Sequence, residues 1–298
     1  MLQQTGVSTV IPYYERFFSA FPDIFALATA SEDAVMQLWQ GLGYYRRAKN
    51  MRLAAQLIVE KFGGKFPQMR DELLTVPGIG EYTAGAILSI AYRKPHPALD
   101  GNLIRVYARY HLIAQNVNEG PTLKNLWRIA AEHTPREGKH SREFTEGMME
   151  LGARICVPRN PLCLICPLRK GCAAFATGLT EELPRRAKAR AREKYFEEVF
   201  VVEKNRRWAF LPRGSDPKFP DFLRLPYRKL EAAMSSPAKY DIQMKYSVTH
   251  RDFTVFVQRA SKPPEQSTDL KWLKETEIKA ALLPAIDRKI LAELAAVV

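Results

Sequence analysis

The sequence predicts a mainly α-helical region over residues 1–180, a basic linker at 181–194, and a smaller α+β domain over 195–298. Three observations support this. Apolar residues recur at helical spacing through the first part, no segment there alternates with period two, and β-branched and aromatic runs begin only after Tyr195. A chain of 298 residues is long enough for two hydrophobic cores.

In chain order, Val10, Ile11, Tyr14, Phe17 and Phe18 make the first helical stripe. Val35, Leu38, Trp39 and Leu42 make the second, and Leu53, Ala54, Leu57 and Ile58 the third. Ser31, before Glu32 and Asp33, offers a hydroxyl to the free amides of a helix start. Residues 74–86, LTVPGIGEYTAGA, read as helix, tight turn, helix. Gly78 and Gly80 carry no Cβ, so the turn can approach a partner closely, and the leading amides of the second helix can bind phosphate. Asp100-Gly101-Asn102 precedes an apolar helix from Leu103 to Leu112. Asp100 there reads equally as a helix cap or as a functional carboxylate. Residues 184–194 hold six basic side chains and one acid, a solvated segment or one lying against phosphate. Strands are expected at Phe196–Val202 and Phe253–Val257, proline-rich loops at Pro212–Pro226 and Pro263-Pro264, and a closing helix from Lys279 to Ala295.

Lys and Arg number 45 against 32 Asp and Glu, a net charge of +13, which suits a polyanionic partner. No stretch approaches 18 uninterrupted apolar residues and Met1–Thr5 lacks the form of a secretory signal, so the expectation is a cytoplasmic protein without a membrane partner. The four cysteines, Cys156, Cys163, Cys166 and Cys172, are spaced x6-x2-x5. So tight a group makes a poor disulfide framework for this length and suits a four-iron cluster or a structural zinc ion.

Together the x6-x2-x5 cysteines, the Pro77-Gly78-Ile79-Gly80 turn and Asp100 resemble the endonuclease III and MutY superfamily of helix-hairpin-helix DNA glycosylases, strongly to residue 175 and loosely beyond. The resemblance implies a [4Fe–4S] cluster on Cys156, Cys163, Cys166 and Cys172, and phosphate binding by Pro77, Gly78 and Gly80. It implies that Asp100 faces the sugar carbon of an extruded nucleotide, with Tyr82 and Asn102 positioning sugar and water. The strand-cleaving branch carries a lysine where this chain has Tyr82, and a phenol cannot form a Schiff base, which points to the monofunctional MutY branch. That branch removes adenine opposite 8-oxoguanine or guanine in double-stranded DNA. It implies a loop entering the duplex at Leu2, Gln3 and Gln4, with Tyr44 stacking beside the lesion; Tyr45 reads better as a core aromatic. It further implies a Nudix-like C-terminal domain whose Thr249 and His250 read the lesion, although the usual Phe-Ser-His loop is here Val248-Thr249-His250. The nucleotide-hydrolysing Nudix glutamates are missing, so this domain is expected to bind only.

The family's general acid is a glutamate two residues before the methionine corresponding to Met1, whereas the first acidic residue here is Glu15. An internal start methionine accounts for this, and the chain by itself is expected to have little activity and to act as a monomer. The rival readings are an endonuclease III-type lyase, disfavoured by Tyr82 and the extra domain, a lesion-binding protein without catalysis, and an iron–sulfur electron carrier, disfavoured by the hairpin.

Overall fold

The structure is a computed structural model of the 298-residue chain, and it describes residues 1–2, 5–187, 191–231, 240–248, 250–265, 267 and 269–296. Helices α1 (Val7–Ala20), α2 (Ile24–Thr29) and α3 (Glu32–Trp39) lead into the long α4 (Arg46–Phe62). The Ser31 hydroxyl accepts from the Ala34 amide at 3.2 Å, so it caps α3 as expected. Next come α5 (Arg70–Leu74), α6 (Glu81–Ala86), α7 (Gly101–Tyr110), α8 (Gly120–His133), α9 (Ser141–Glu150) and the short α10 (Ala173–Ala176). A π-helical turn extends α6 over Ile87–Ala91, and another extends α9 over Leu151–Ile155.

The C-terminal part contains β1 (Glu193–Lys204), β2 (Arg207–Phe210), β3 (Tyr227–Leu230), β4 (Ile242–Val248), β5 (Arg251–Ala260) and β6 (Lys271–Lys274). Two helices follow, α11 (Glu275–Ala280) and α12 (Ala285–Ala296). The single closing helix expected over Lys279–Ala295 is therefore two helices. α11 ends at Ala280, where Ala281 turns extended (ψ 144°), and Pro284, which has no amide proton and disfavours helical geometry in the residue before it, stands just ahead of the restart at Ala285. The sheet runs β4-β5-β1-β2-β6, with β3 added on β1. Its centre is the long parallel pairing of β1 with β5, from Glu193↔Arg251 to Val202↔Ala260. Both expected strands lie inside this pair, and Val199–Val202 is continuously apolar because a central strand is covered on both faces.

The chain forms two compact units, Met1–Arg52 with Arg190–Val298, and Leu53–Ala189. This grouping does not follow the linear division at 181–194. In the first unit, the Gln40 amide donates to the Leu283 carbonyl at 2.8 Å and Arg213 Nη1 meets Asp33 at 2.7 Å. Tyr45 packs edge-on against Phe222 with centroids 4.6 Å apart, which makes it the core aromatic the sequence suggested. The sheet core gathers Val199, Phe210, Leu225, Val255, Val257 and Ile290. In the second unit, Leu103, Tyr107 and Ala108 of α7 are buried against Leu126, Ile129 and Ala130 of α8. No helix among the described residues is long and apolar enough to cross a membrane.

Candidate functional site

The second unit brings the hairpin, Asp100 and the four cysteines into one body. In the turn between α5 and α6, Gly78 has φ +82°, a left-handed conformation that residues with a Cβ rarely adopt. Gly80, at the N-cap of α6, would meet nothing within 4 Å if it bore a Cβ. Both glycines are exposed and Pro77 is half-buried. No side chain caps α6, so its leading amides, which have no intrahelical acceptor, face outward.

Asp100 is the N-cap of α7. Its Oδ1 accepts from the amides of Asn102 at 2.9 Å and Leu103 at 2.8 Å, and its Oδ2 accepts from Asn102 Nδ2 at 3.1 Å. The cap and the placement beside the hairpin coexist. Burial first, and then the Asp100 carboxylate, raises the pKa of the Tyr82 phenol, which keeps its proton and stands within electrostatic reach of Asp100.

Two arginines that the sequence reading missed join α7 to the cysteine loop. Arg105 Nε donates to the Cys156 carbonyl at 2.7 Å, and its Nη2 donates to Gly152 O at 2.6 Å and Asn102 Oδ1 at 2.9 Å. Arg109, 2% exposed, donates to the carbonyls of Leu183, Val157 and Pro158 at 2.9, 2.8 and 3.1 Å, and reaches Cys156 Sγ at 3.4 Å. A Cβ on Gly152 would stand 2.7 Å from Asn102 Cβ, so that glycine lets the π-turn meet the head of α7. The available signal was two arginines four apart in an otherwise apolar helical run.

Cys156, Cys163, Cys166 and Cys172 line a single pocket with Arg109 and Phe175. Burial first, and then the charge of the other three cysteines, raises the pKa of the Cys163 thiol. For Cys166 the largest cause is again burial. Four thiolates crowded here repel one another unless a positive group sits among them, so the donor set fits a metal-containing cofactor. Among the described residues no three His, Cys, Asp or Glu side chains converge as a single-ion site. Of the basic residues around the loop, Arg154 pairs with Glu150 at 2.8 Å and Arg169 donates to the Leu164 carbonyl at 3.1 Å.

The remaining expected site residues lie in the first unit. Leu2 and Tyr44 are exposed, Tyr44 at 57% and with φ +49°. Arg47 ties them together: its guanidinium lies over the Tyr44 ring at 5.3 Å and its Nη1 donates to the Met1 carbonyl at 3.2 Å. His250 stands at the β4–β5 turn with Nε2 3.6 Å from Glu193 Oε1. Gln3, Gln4 and Thr249 fall outside the described residues.

A two-glycine hairpin, a carboxylate heading the next helix and a four-cysteine loop on one body define a class. Residues 1–132 match the family described as HhH-GPD superfamily base excision DNA repair protein. The chain is 40% identical over 209 residues to the adenine DNA glycosylase of Buchnera aphidicola subsp. Acyrthosiphon pisum, covering 70% of this chain and 59% of that protein. It is also 40% identical over 176 residues to the adenine DNA glycosylase of Mus musculus, over 59% of this chain and 34% of that one. The chain spans 49–59% of the length of its bacterial curated relatives. A solved thermostable thymine-DNA glycosylase superposes with a TM-score of 0.53 at 28% identity, covering 59% of this chain and 80% of that structure.

Proposed function

We propose that the chain acts in base excision repair as a monofunctional adenine DNA glycosylase, releasing adenine paired with 8-oxoguanine or guanine in double-stranded DNA. The observation that carries this reading is Asp100 at the head of α7, within electrostatic reach of the Tyr82 phenol on the helix that follows the glycine turn. The names of the relatives support the substrate base. In this reading the hairpin amides at Gly78 and Gly80 hold a phosphate, and the flipped nucleotide's sugar lies against Asp100. As the glycosidic bond breaks, positive charge grows on the sugar ring, and the carboxylate held rigid by Asn102 and Leu103 stabilises it. Tyr82, protonated, orients the sugar but has no amine to attack it, so water completes an abasic site without strand cleavage.

Cys156, Cys163, Cys166 and Cys172 would hold a [4Fe–4S] cluster, whose contribution when bound is to stiffen the loop that anchors α7. The sheet domain is assigned a Nudix-like role without hydrolysis, with His250 and Thr249 reading the opposite lesion and Leu2, Gln3, Gln4 and Tyr44 entering the stack. The protein works as a cytoplasmic monomer.

The test is a single-turnover assay on an adenine:8-oxoguanine duplex, with alkali-labile sites and borohydride trapping as readouts. Adenine release without a trapped adduct is expected, slow for this chain by itself and faster for one extended upstream of Met1 so as to carry the family's glutamate. Asp100→Asn should slow it at least about 100-fold while leaving stability within about 0.5 kcal/mol, because asparagine caps a helix as well as aspartate. Unchanged excision in this variant, or a trapped adduct, overturns the reading.

A further inference from the structure

We propose that Arg186 grips a DNA backbone phosphate beside the nucleotide whose sugar faces Asp100, as a positioning residue of the excision site. The inference rests on the DNA-binding reading above and adds a residue from the basic segment that the family comparison does not assign.

The segment carrying Arg186 is pinned to the second unit. Leu183, 3% exposed, offers its carbonyl to the buried Arg109 at 2.9 Å. Two residues on, the Arg185 carbonyl accepts from the Val117 amide at 3.0 Å. The next side chain therefore returns to the head of α7. Arg186 Nη2 lies 3.9 Å from the point a Cβ on Gly101 would occupy, and Gly101 directly follows Asp100.

Its charge is unspent there. Among the described residues Arg186 forms no ion pair, whereas Arg185 beside it meets Glu182 at 3.4 Å. No ion pair joins it to Asp100 among the described residues, and the carboxylate is held by Asn102 and Leu103. The same bonds occupy the Asn102 and Leu103 amides at the head of α7. A guanidinium is the donor left at the spot, and its planar fork matches two phosphate oxygens. A phosphate flanking a nucleotide drawn toward Asp100 has to pass this position.

The test uses the full chain and two labelled duplexes, one carrying a tetrahydrofuran abasic analogue opposite 8-oxoguanine and one undamaged. Binding is followed from about 50 to 200 mM salt, the range over which phosphate contacts dominate affinity. Arg186→Ala should weaken binding to the abasic duplex about ten-fold at the low end and reduce the salt slope by about one. Arg186→Lys keeps the charge and should restore most of the slope, an outcome a purely structural role would not produce. If the unmodified chain binds the abasic duplex and Arg186→Ala leaves its slope unchanged, the proposal is wrong and the glycosylase reading stands. If the unmodified chain binds neither duplex, the DNA reading fails and takes the proposal with it.

Discussion

Both units bury arginines, but they compensate them in opposite ways. In the sheet unit, Arg224 is 1% exposed and sits among carboxylates, with Nε 3.0 Å from Asp216, Nη2 3.4 Å from Glu197, and a direct pairing with Asp287. Burial opposes its charge, but Asp287, Tyr246, Glu197 and Asp216 more than offset this and raise its pKa. Lys218 joins the same group through Glu197. In the helical unit, Arg105 and Arg109 bond to carbonyls, an amide oxygen and a thiol, without a carboxylate partner. Hydrogen bonding satisfies these guanidiniums, and among the described residues neither forms an ion pair, although Asp100 lies within electrostatic reach of Arg105. The sheet network sets two cations among three carboxylates. The α7 pair keeps positive charge directed at a loop of four cysteines, where an anionic thiolate cluster would use it.

Breaking the carboxylate network should have the largest effect. Arg224→Met leaves Asp287 buried without a cation and Asp216 and Glu197 with Lys218 alone, and is expected to destabilise the sheet unit by about 3–5 kcal/mol, read by denaturant unfolding. Removing Asp216 and Asp287 as well should recover part of the loss, because the acids rather than the missing arginine then carry the penalty.

The matching change in the other unit sharpens the contrast. Arg109→Met strands the carbonyls of Leu183, Val157 and Pro158, at about 1–3 kcal/mol. Its distinctive consequence should be a fall in metal retained per chain, measured by elemental analysis for iron and zinc together with visible absorption. Arg224→Met should leave the metal content of its folded fraction unchanged. A preparation of the unmodified chain without iron or zinc would remove the role given to the cysteine pocket.

The smallest expected effect concerns pH. His111 and His133 stand with Nε2 atoms 2.9 Å apart at the ends of α7 and α8. Burial first, and then His133, lowers the pKa of His111 below its ordinary 6.5. The unfolded chain therefore takes up a proton more readily than the folded one. The stability from this pair is complete above about pH 6.5 and is lost as pH falls through the folded value. Acidification from about pH 7.5 to 5.5 should lower the melting midpoint by under about 3 °C, and His133→Phe should flatten that dependence.

Several local features were legible in the sequence because each depends on only a few neighbouring residues. Ser31 caps α3, Gly78 turns left-handed, Asp100 heads α7, and the aromatic run after Tyr195 becomes the central strand of the sheet. The closing helix was misread for an equally local reason, since Pro284 was passed over as a breaker. Arg105 and Arg109 were not legible as site residues. Apart from Asn102 Oδ1, their acceptors lie 47 to 74 positions away, and spacing within α7 does not say what will cover it.

The sequence alone determined the kinds of element, the two-glycine hairpin and a thiol set suited to metal, because backbone preference and ligand chemistry are properties of short segments. The tertiary structure alone decided that the first 52 residues group with the sheet, that Arg109 is buried against the cysteine loop, and that Arg186 returns to Asp100. Those outcomes depend on which distant carbonyls and side chains meet each charged group, and only the closed fold supplies those partners.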